Sequence, residues 1–378
     1  MKIAYITTGS TRNIHDWSGL NYHIAKALEK QGAEIEYIDN LSAKESFFDF
    51  IRRLFTRIVF HKYAPTDRTF SVAKQYAREI EKRLPADTDI VFSPGSLPVA
   101  LLKTAKKKVF YTDATFAAML NYYAGFDNLA TYAIRTGNKL EKCALQNCDL
   151  IFYASDWAAK SAINDYSTDP KKVKVVPFGA NMECSRTEAD IKQIIKNKLN
   201  GQCNLLFCGV DWNRKGGEIA VQIAREIRNK NIPVHLDIVG PREHLELPDF
   251  AENHGFISKE TTEGCEKLNE LFTNAHFFLL PTRAECYGLV FCEAASFGLP
   301  GIATKTGGIP TIIKDNVTGM TFDLPASSMD YANYIMHLLG NPDEYENLSL
   351  SAFRDYKERL NWDVAGKTII NQLTIDNS

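Results

Sequence analysis

Residues 279–300 read LLPTRAECYGLVFCEAASFGLP, which predicts a strand, a loop and a helix in that order. The apolar strand ends at Pro281, and the helix opens near Leu289. Gly298 ends the helix and Pro300 follows it, and this order of glycine and proline is typical of a helix C-terminus. Strand–loop–helix units of this kind build parallel sheets, in which the loops at the strand ends carry the functional groups.

The start of this helix predicts an anion site. The amides of Gly288, Leu289 and Val290 point out of the helix N-terminus, where they suit a phosphate. Glu293 lies one turn beyond Leu289 and can reach hydroxyl groups beside a bound phosphate, whereas Glu285 lies earlier, on the loop. Each of the two acids, considered alone, could also have a role unrelated to ligand binding. Glu285 could be a solvated loop acid, and Glu293 could favour the helix dipole.

Two series of strand-sized apolar runs, separated by helical segments, extend along the chain. Strands that alternate with helices predict parallel, doubly wound α/β sheets. Two such sheets imply two Rossmann-like domains, with a ligand cleft at the carboxyl ends of the strands. We predict domains at residues 1–181 and 182–359. The predicted strands are residues 2–6, 35–38, 90–92, 108–111 and 150–153 in the first series, and 204–209, 234–239, 275–280, 301–303 and 320–322 in the second.

The 378-residue chain has an ordinary globular composition, with 45% hydrophobic and 24% charged residues. At roughly 150 residues per domain, this length predicts two to three domains. The composition argues against collagenous, disordered and disulfide-scaffold classes. The formal net charge of −2 lacks the basic excess of a nucleic-acid-binding protein, so no nucleic-acid partner is predicted.

The chain shows no signal for export, membrane spanning or metal binding. Residues 2–6 run directly into polar residues, without the apolar core of a signal peptide, and no apolar run reaches the ~18 residues of a membrane-spanning helix. We therefore expect a cytoplasmic protein. The 8 cysteines form no CxxC pair and no zinc-ligand spacing, so we expect reduced thiols and no metal.

Four further segments extend the pattern: 281–288 (PTRAECYG), 293–300 (EAASFGLP), 306–308 (TGG) and 315–319 (DNVTG). In this order they resemble the motifs of the retaining glycosyltransferases of family 4, whose E-x7-E signature would be Glu285 and Glu293. The likeness extends to residues 209–216 (GVDWNRKG) and 176–181 (VPFGAN) and covers nearly the whole chain. It implies the GT-B fold, in which two facing Rossmann-like domains enclose a cleft. It also implies a last helix, at about 360–378, that returns to the first domain, and no obligatory metal or other cofactor.

The resemblance implies how a nucleotide diphosphate sugar is held. Lys215 and Arg214 would neutralise the diphosphate, as fixed cations can do for a leaving group that develops negative charge. Many family members carry an Arg at the position of Val210, so that role passes here to Arg214. Glu293 would bind the ribose, Glu285 the donor sugar, and the backbone near Ile257 the nucleobase. The complete donor-binding prediction is Gly19, Arg214, Lys215, Ile257, Glu285, Tyr287, Gly288, Leu289, Val290 and Glu293.

The catalytic prediction comprises Glu285, Lys215 and Asp113. In retaining enzymes of this family the acceptor is thought to attack from the leaving-group face, with a phosphate oxygen taking its proton, so no carboxylate nucleophile is required. Residues 108–115 (KVFYTDAT) place Asp113 at a strand end, in a region where many members present a His. Asp113 could instead cap the helix that follows. On the same side, Gly19 would let the backbone approach a ligand closely.

Two other segments carry open interpretations. Asp87-Thr-Asp89 fits the DxD pattern of metal-dependent glycosyltransferases, but it precedes a strand instead of ending one. Residues 46–63 carry four Lys/Arg, one Asp and six aromatic residues. This segment could lie on an anionic membrane or grip an anionic acceptor. The alternative is a helix packed on the sheet with its basic face in solvent.

The function that the family resemblance implies is retaining hexosyl transfer from a UDP- or GDP-linked sugar. The acceptor would be a glycan, a lipid or a small molecule, and the enzyme could be peripheral on the inner face of the membrane. Two other functions stay open. One is a nucleotide-sugar epimerase or hydrolase on the same fold, and the other is an inactive scaffold that binds sugar nucleotides.

Overall fold

The computed structural model describes residues 1–12, 16–198 and 201–375, and the chain divides into two compact units. The first unit comprises Met1–Pro177 and the residues from Trp362 onward, and the second comprises Phe178–Asn361. The domain boundary predicted at Asn181 lies shortly after this division.

The first unit contains a six-stranded sheet in which every pairing is parallel. Its strands are β1 (Lys2–Ile6), β2 (Glu34–Ile38), β3 (Ile90–Ser93), β4 (Lys107–Thr112), β5 (Leu150–Tyr153) and β6 (Val173–Val175). Its helices include α1 (Leu20–Lys30), α2 (Phe47–Phe60), α3 (Phe70–Arg83), α4 (Phe116–Met119), α5 (Thr131–Asn147) and α6 (Asp156–Tyr166). The strand order is β2–β1–β3–β4–β5–β6. Strands β3 and β5 are buried throughout, because helices cover both faces of the sheet.

The second unit contains another six-stranded parallel sheet. Its strands are β7 (Cys203–Cys208), β8 (Val234–Val239), β9 (Ala251–Asn253), β10 (Phe277–Leu280), β11 (Gly301–Thr304) and β12 (Gly319–Phe322). Its helices are α7 (Glu188–Lys198), α8 (Trp212–Lys215), α9 (Gly217–Asn229), α10 (Thr262–Asn274), α11 (Leu289–Ala295), α12 (Ile309–Ile312), α13 (Ser328–Leu339) and α14 (Pro342–Arg359). The prediction of two parallel α/β sheets is confirmed. The sequence did not predict β6 or β9, two short strands at the edges of their sheets.

The strand order of the second sheet, β12–β11–β10–β7–β8–β9, creates a switch point. From β7 the chain winds outward through β8 and β9, then returns to the other side of β7 with β10 and winds outward again. Connections therefore leave β7 and β10 in opposite directions, which opens a crevice at the carboxyl ends of these two strands. Parallel α/β sheets bind their ligands at such crevices.

The final helix, α15 (Trp362–Ile375), packs on the first unit. Its partner is α1: the Trp362 ring stacks on His23 with centroids 5.8 Å apart, and Lys30 Nζ lies 2.7 Å from the Asp363 carboxylate. The ion pair is exposed and contributes little stability, so the packing of the two helices carries this contact.

Helix α2 is attached to the first unit by its polar side. Thr56 is buried, and Asp49 and Arg53 are half-buried, whereas the apolar residues of the helix are exposed. The alternative of a helix packed on the sheet with its basic face in solvent is therefore only partly right, because Arg52 and Arg57 are exposed but the side that meets the protein is polar. Within the described ranges, no helix combines the length and apolarity needed to cross a bilayer.

Candidate active site

The loops that follow β7 and β10 are fixed to each other at the switch point of the second sheet. The backbone carbonyl of Arg214 accepts hydrogen bonds from the Arg283 amide at 2.8 Å and from Thr282 Oγ1 at 3.0 Å. Helix α8 ends at Gly216, which has a left-handed φ of 76°. A Cβ at this position would lie 2.0 Å from the Pro281 carbonyl oxygen, so only glycine allows the two loops to approach this closely.

Two cations and one acid meet where these loops touch. Lys215 forms an ion pair with Glu285, and Arg214 Nη1 lies 3.9 Å from the same carboxylate. Arg214 also donates to the Ala284 carbonyl at 3.0 Å, which holds α8 against the β10 loop. Glu285 is only 7% exposed, and a buried carboxylate requires a charged partner of this kind. The structure thus brings together three residues that the sequence analysis assigned to the diphosphate and the donor sugar.

Glu293 forms a second ion pair, with Lys259. Its side chain lies on α11 and is 3% exposed, whereas Lys259 is half-buried on the loop between β9 and α10. Sequence reasoning missed Lys259, because the two residues are separated by 34 positions and no motif spacing connects them. Lys259 comes two residues after Ile257, so this pair ties the predicted nucleobase loop to the predicted ribose-binding acid.

The predicted nucleobase loop is anchored to the end of β8. The His254 amide donates to the Ile238 carbonyl at 2.9 Å, and the Gly240 amide donates to the Gly255 carbonyl at 2.8 Å. Phe256 beyond it is 42% exposed, and the Arg242 guanidinium lies 4.6 Å from its ring centroid. The backbone of this loop is therefore held in place next to an exposed aromatic ring.

A group of possible metal ligands lies on the adjoining edge of the sheet. His235, Asp237 and Glu252 each offer a ligand atom, all within 4.8 Å of one another. No motif spacing connects the three residues, because they lie on two strands that pair in parallel with Asp237 opposite Glu252. The His254 ring is hydrogen-bonded to the same Asp237 carboxylate at 2.7 Å, which gives this acid a structural role as well.

The two acids of the DxD-like segment, Asp87 and Asp89, both contact Lys2. Asp87 forms an ion pair with Lys2 Nζ at 2.7 Å, and the Asp89 carboxylate accepts a hydrogen bond from the Lys2 amide at 2.7 Å. Both acids therefore fasten the start of β1, at the end of the strands opposite to their carboxyl ends.

The loop before α11 positions the predicted phosphate amides. Gly288 caps the helix with a left-handed φ of 99°, which directs the chain into its first turn at Leu289 and Val290. The Gly308 amide donates to the Glu285 carbonyl at 3.3 Å, so the loop after β11 joins the same site. Tyr287 is buried and its hydroxyl donates to the Phe178 carbonyl at 2.9 Å, so its side chain fastens the loop.

Two thiols beside the site, Cys208 and Cys292, are not activated. Burial raises the pKa of the Cys208 thiol well above its usual value, and the Glu293 carboxylate adds to this rise. Burial likewise raises the pKa of Cys292, to about 12. All 8 cysteines are free thiols, and these two remain protonated at neutral pH, so the site offers carboxylates and cations for its chemistry.

The remaining predicted residues, Asp113 and Gly19, belong to the first unit. Asp113 directly follows β4 and is half-buried. It does not cap α4, because that cap is Thr115, whose side chain accepts a hydrogen bond from the Ala118 amide at 3.1 Å. The capping interpretation of Asp113 is therefore wrong.

Gly19 occupies the N-cap position of α1 with a φ of 80°. The two residues before it, Trp17 and Ser18, also have positive φ values, 49° and 54°. Non-glycine residues in this region are uncommon and strained, and such strain clusters at functional sites.

Comparisons with known proteins cover both units. A family model described as Glycosyltransferase Family 4 matches residues 20–183, and one described as Glycosyl transferases group 1 matches residues 202–341. The D-inositol 3-phosphate glycosyltransferase of Gordonia bronchialis is 24% identical over 67% of this chain and 57% of its own length. The sulfoquinovosyl transferase SQD2 of Arabidopsis thaliana is 28% identical over 42% of this chain and 31% of its own length. The chain thus spans little more than half the length of the first of these relatives.

Solved structures share the fold over the whole chain. Sucrose-phosphate synthase from Thermosynechococcus elongatus superposes with a TM-score of 0.70 at 16% identity and covers 100% of both chains. HepE of Anabaena, solved in complex with UDP-glucose, gives a TM-score of 0.65 at 14% identity over 99% of both chains. These neighbours are GT-B glycosyltransferases, which identifies the two six-stranded sheets as the GT-B fold. With both halves matched by models of one enzyme group and the motif residues gathered at the switch point, the chain belongs to glycosyltransferase family 4.

Proposed function

We propose that this protein transfers a hexose, with retention of anomeric configuration, from a UDP- or GDP-linked donor to a hydroxyl group of an acceptor. The observation that carries the proposal is the convergence of Lys215, Arg214 and Glu285 at the switch point of the second unit. The likeness to HepE, whose structure contains UDP-glucose, supports a donor of this class. In this proposal the second unit binds the donor and the first unit serves the acceptor.

The donor-side roles follow from charge and position. Lys215 and Arg214, together with the amides at residues 288–290, face the two negatively charged phosphate groups. Glu293 accepts hydrogen bonds from the ribose hydroxyl groups, and Glu285 contacts the donor sugar. The backbone at Ile257 meets the nucleobase. Fixed cations and amides stabilise a leaving diphosphate without reorganising during the reaction.

The reaction exchanges one bond at the anomeric carbon for another. The bond from this carbon to the diphosphate oxygen breaks, and a bond to the acceptor oxygen forms on the same face of the sugar. The acceptor proton passes to an oxygen of the departing diphosphate. Lys215 stabilises the charge that develops there, and Asp113 accepts a hydrogen bond from the acceptor hydroxyl, which orients and polarises its O–H bond before the proton passes to the diphosphate oxygen.

A two-stage experiment tests this function. A thermal-shift panel of nucleotide sugars identifies the donor first, because a ligand at 100 times its dissociation constant adds about 2.7 kcal/mol of stability. Release of the nucleoside diphosphate is then measured with and without candidate acceptors, and proton NMR gives the anomeric configuration of the product. Acceptor-dependent release with retained configuration is expected. Release of free sugar at an equal rate without acceptor would identify a hydrolase.

Glu293→Ala is expected to weaken binding of the free nucleoside diphosphate by about 10- to 150-fold, which corresponds to about 1.5 to 3 kcal/mol for a hydrogen bond to a charged group. The fold should survive, because Lys259 is half-buried and can be rehydrated when its partner is lost. Isothermal titration calorimetry measures the affinity, with the exposed Glu266→Ala on α10 as a control. Unchanged affinity of the Glu293 variant would rule out the ribose assignment.

Excess chelator is expected to leave turnover within about twofold of its starting value, because Lys215, Arg214 and the amides at residues 288–290 supply the positive charge at the diphosphate. The measurement is the rate of nucleoside diphosphate release before and after treatment with EDTA. Loss of activity that magnesium or manganese restores would contradict this expectation. It would direct attention to His235, Asp237 and Glu252, because Asp87 and Asp89 are engaged with Lys2.

We also propose that the acceptor is a glycan, a lipid or a small molecule, and that residues 46–63 contact an anionic membrane surface. The cationic residues of this segment support the contact, since anionic headgroups attract each Lys or Arg near the surface.

A further inference from the structure

Helix α2 is amphipathic, but it turns its polar side toward the protein and its apolar side outward, which is the opposite of an ordinary surface helix. Its polar residues recur at helical spacing along one side and are Asp49, Arg52, Arg53, Thr56 and Arg57. This polar side meets the protein, as the burial of Thr56 shows. All other residues of the helix are large and apolar, with exposures between 41% and 84%: Phe47, Phe48, Phe50, Ile51, Leu54, Phe55, Ile58, Val59 and Phe60.

Specific contacts fix this orientation. Arg53 forms an ion pair with Glu45 at 2.8 Å, and the Arg52 guanidinium stacks 3.8 Å from the centroid of the Tyr132 ring on α5. The buried Thr56 hydroxyl donates to the Arg52 carbonyl at 2.7 Å. The burial of Thr56 and the stacking of Arg52 on Tyr132 place the polar side of α2 toward the protein, and rotation of the helix to hide its apolar side would break the contact with Tyr132.

We call the exposed side the apolar face of α2. Contact with a nonpolar environment would remove these apolar side chains from water. Soluble monomers rarely expose a continuous apolar patch of this extent. At 1.5 Å per residue the helix is about 21 Å long, less than the ~30 Å hydrocarbon thickness of a bilayer. Its length therefore suits a position in the plane of the interface, where apolar side chains reach the acyl chains without crossing the membrane.

Positive charges border the apolar face of α2. Arg52 and Arg57 are exposed on the helix, and Lys62 is exposed just beyond its end. Cations at this border would meet the headgroups of anionic lipids while the apolar side chains insert between them. In a dimer formed through α2, the same border would bring like charges together. Charge complementarity thus favours an anionic bilayer over a second copy of the chain.

We infer that α2 is an in-plane membrane anchor that inserts its apolar face among the acyl chains of an anionic bilayer. The inference deepens the membrane contact proposed above from surface adsorption to insertion. Vesicle binding is measured without donor or acceptor, so its outcome is independent of glycosyl transfer. Adsorption without insertion and absence of binding also give different results in the experiment.

The test is flotation of the full chain with phosphatidylcholine vesicles that contain roughly one-third phosphatidylglycerol. Phe48→Glu combined with Ile58→Glu should lower the bound fraction at least about tenfold, because it places charge in the acyl region. These side chains are 84% and 64% exposed, so the variant should keep its circular dichroism and unfolding temperature. The matched control, Leu324→Glu combined with Ile375→Glu, changes residues that are 64% and 63% exposed and should bind normally.

Two further measurements distinguish insertion of α2 into the bilayer from adsorption on its surface. A Phe55→Trp variant should show fluorescence quenching by brominated acyl chains, and part of the binding should persist in 1 M salt, where charges are screened over ~3 Å. Three results would overturn the inference. The parent chain could fail to float, or its binding could disappear in salt while the Phe48/Ile58 variant binds normally. The parent could also be a dimer that this double substitution dissociates.

Discussion

The Glu285→Gln variant is expected to turn over about 10² to 10³ times more slowly than the parent, while its affinity for the free nucleoside diphosphate stays within about threefold. The amide preserves the shape of the side chain but removes the charge that Lys215 and Arg214 now face. Because the proposed partner of Glu285 is the donor sugar, the loss should appear only when the sugar is present. Steady-state kinetics at saturating donor and calorimetry with the nucleotide alone measure the two effects.

A charge-matched control is available close to this site. Glu218→Gln removes a carboxylate that pairs with Arg283, but that pair is about half exposed and should contribute little to turnover or stability. Equal losses of turnover and nucleotide affinity in the Glu285 variant would assign this residue to the nucleotide instead of the sugar.

Asp113→Asn is expected to lower turnover at least about 100-fold, within the range of 10² to 10⁴ that is typical of acid–base groups. The substitution keeps the size of the side chain and removes the negative charge that orients and polarises the acceptor hydroxyl. Since Thr115 caps α4, the melting temperature should hardly change. Turnover of the purified variant and its thermal unfolding are the measurements.

Thr115→Ala serves as the control, because it should lower the stability of the protein without lowering its turnover. Loss of an N-cap costs about 0.5 to 2 kcal/mol, which lowers the melting temperature by several degrees in a domain of this size. Turnover should remain close to that of the parent. Normal activity of the Asp113→Asn variant would remove Asp113 from the catalytic set.

Most strands of both sheets could be predicted because buried parallel strands are short and continuously apolar. Residues 150–153 and 277–280 are examples, and every residue in these two strands is buried. The order in which the strands lie side by side in each sheet could not be predicted, because no local sequence pattern encodes it. The sequence does not reveal that β10 returns to the side of β7, although this pairing joins Lys215 to Glu285.

The grouping of side chains at the candidate site could be predicted where one local segment carries several of them, but not where the partners come from distant segments. Glu285, Gly288 and Glu293 lie on one strand–loop–helix unit, so their spacing alone indicated a common site. Lys259 reaches Glu293 only through the fold. Asp113 was open to a capping role because Asp and Thr are both good caps, and only the start of α4 distinguishes them.

The orientation of α2 has a consequence for how the rate would depend on concentration. An enzyme held in the interface meets a lipid-borne acceptor by diffusion in two dimensions, while its nucleotide donor arrives from the bulk solution. The acceptor's KM would then be a mole fraction in the surface, and dilution of that lipid with inert lipid would slow the reaction at constant bulk concentration. A water-soluble acceptor would show no such surface dilution, so the kinetics distinguish the two acceptor classes.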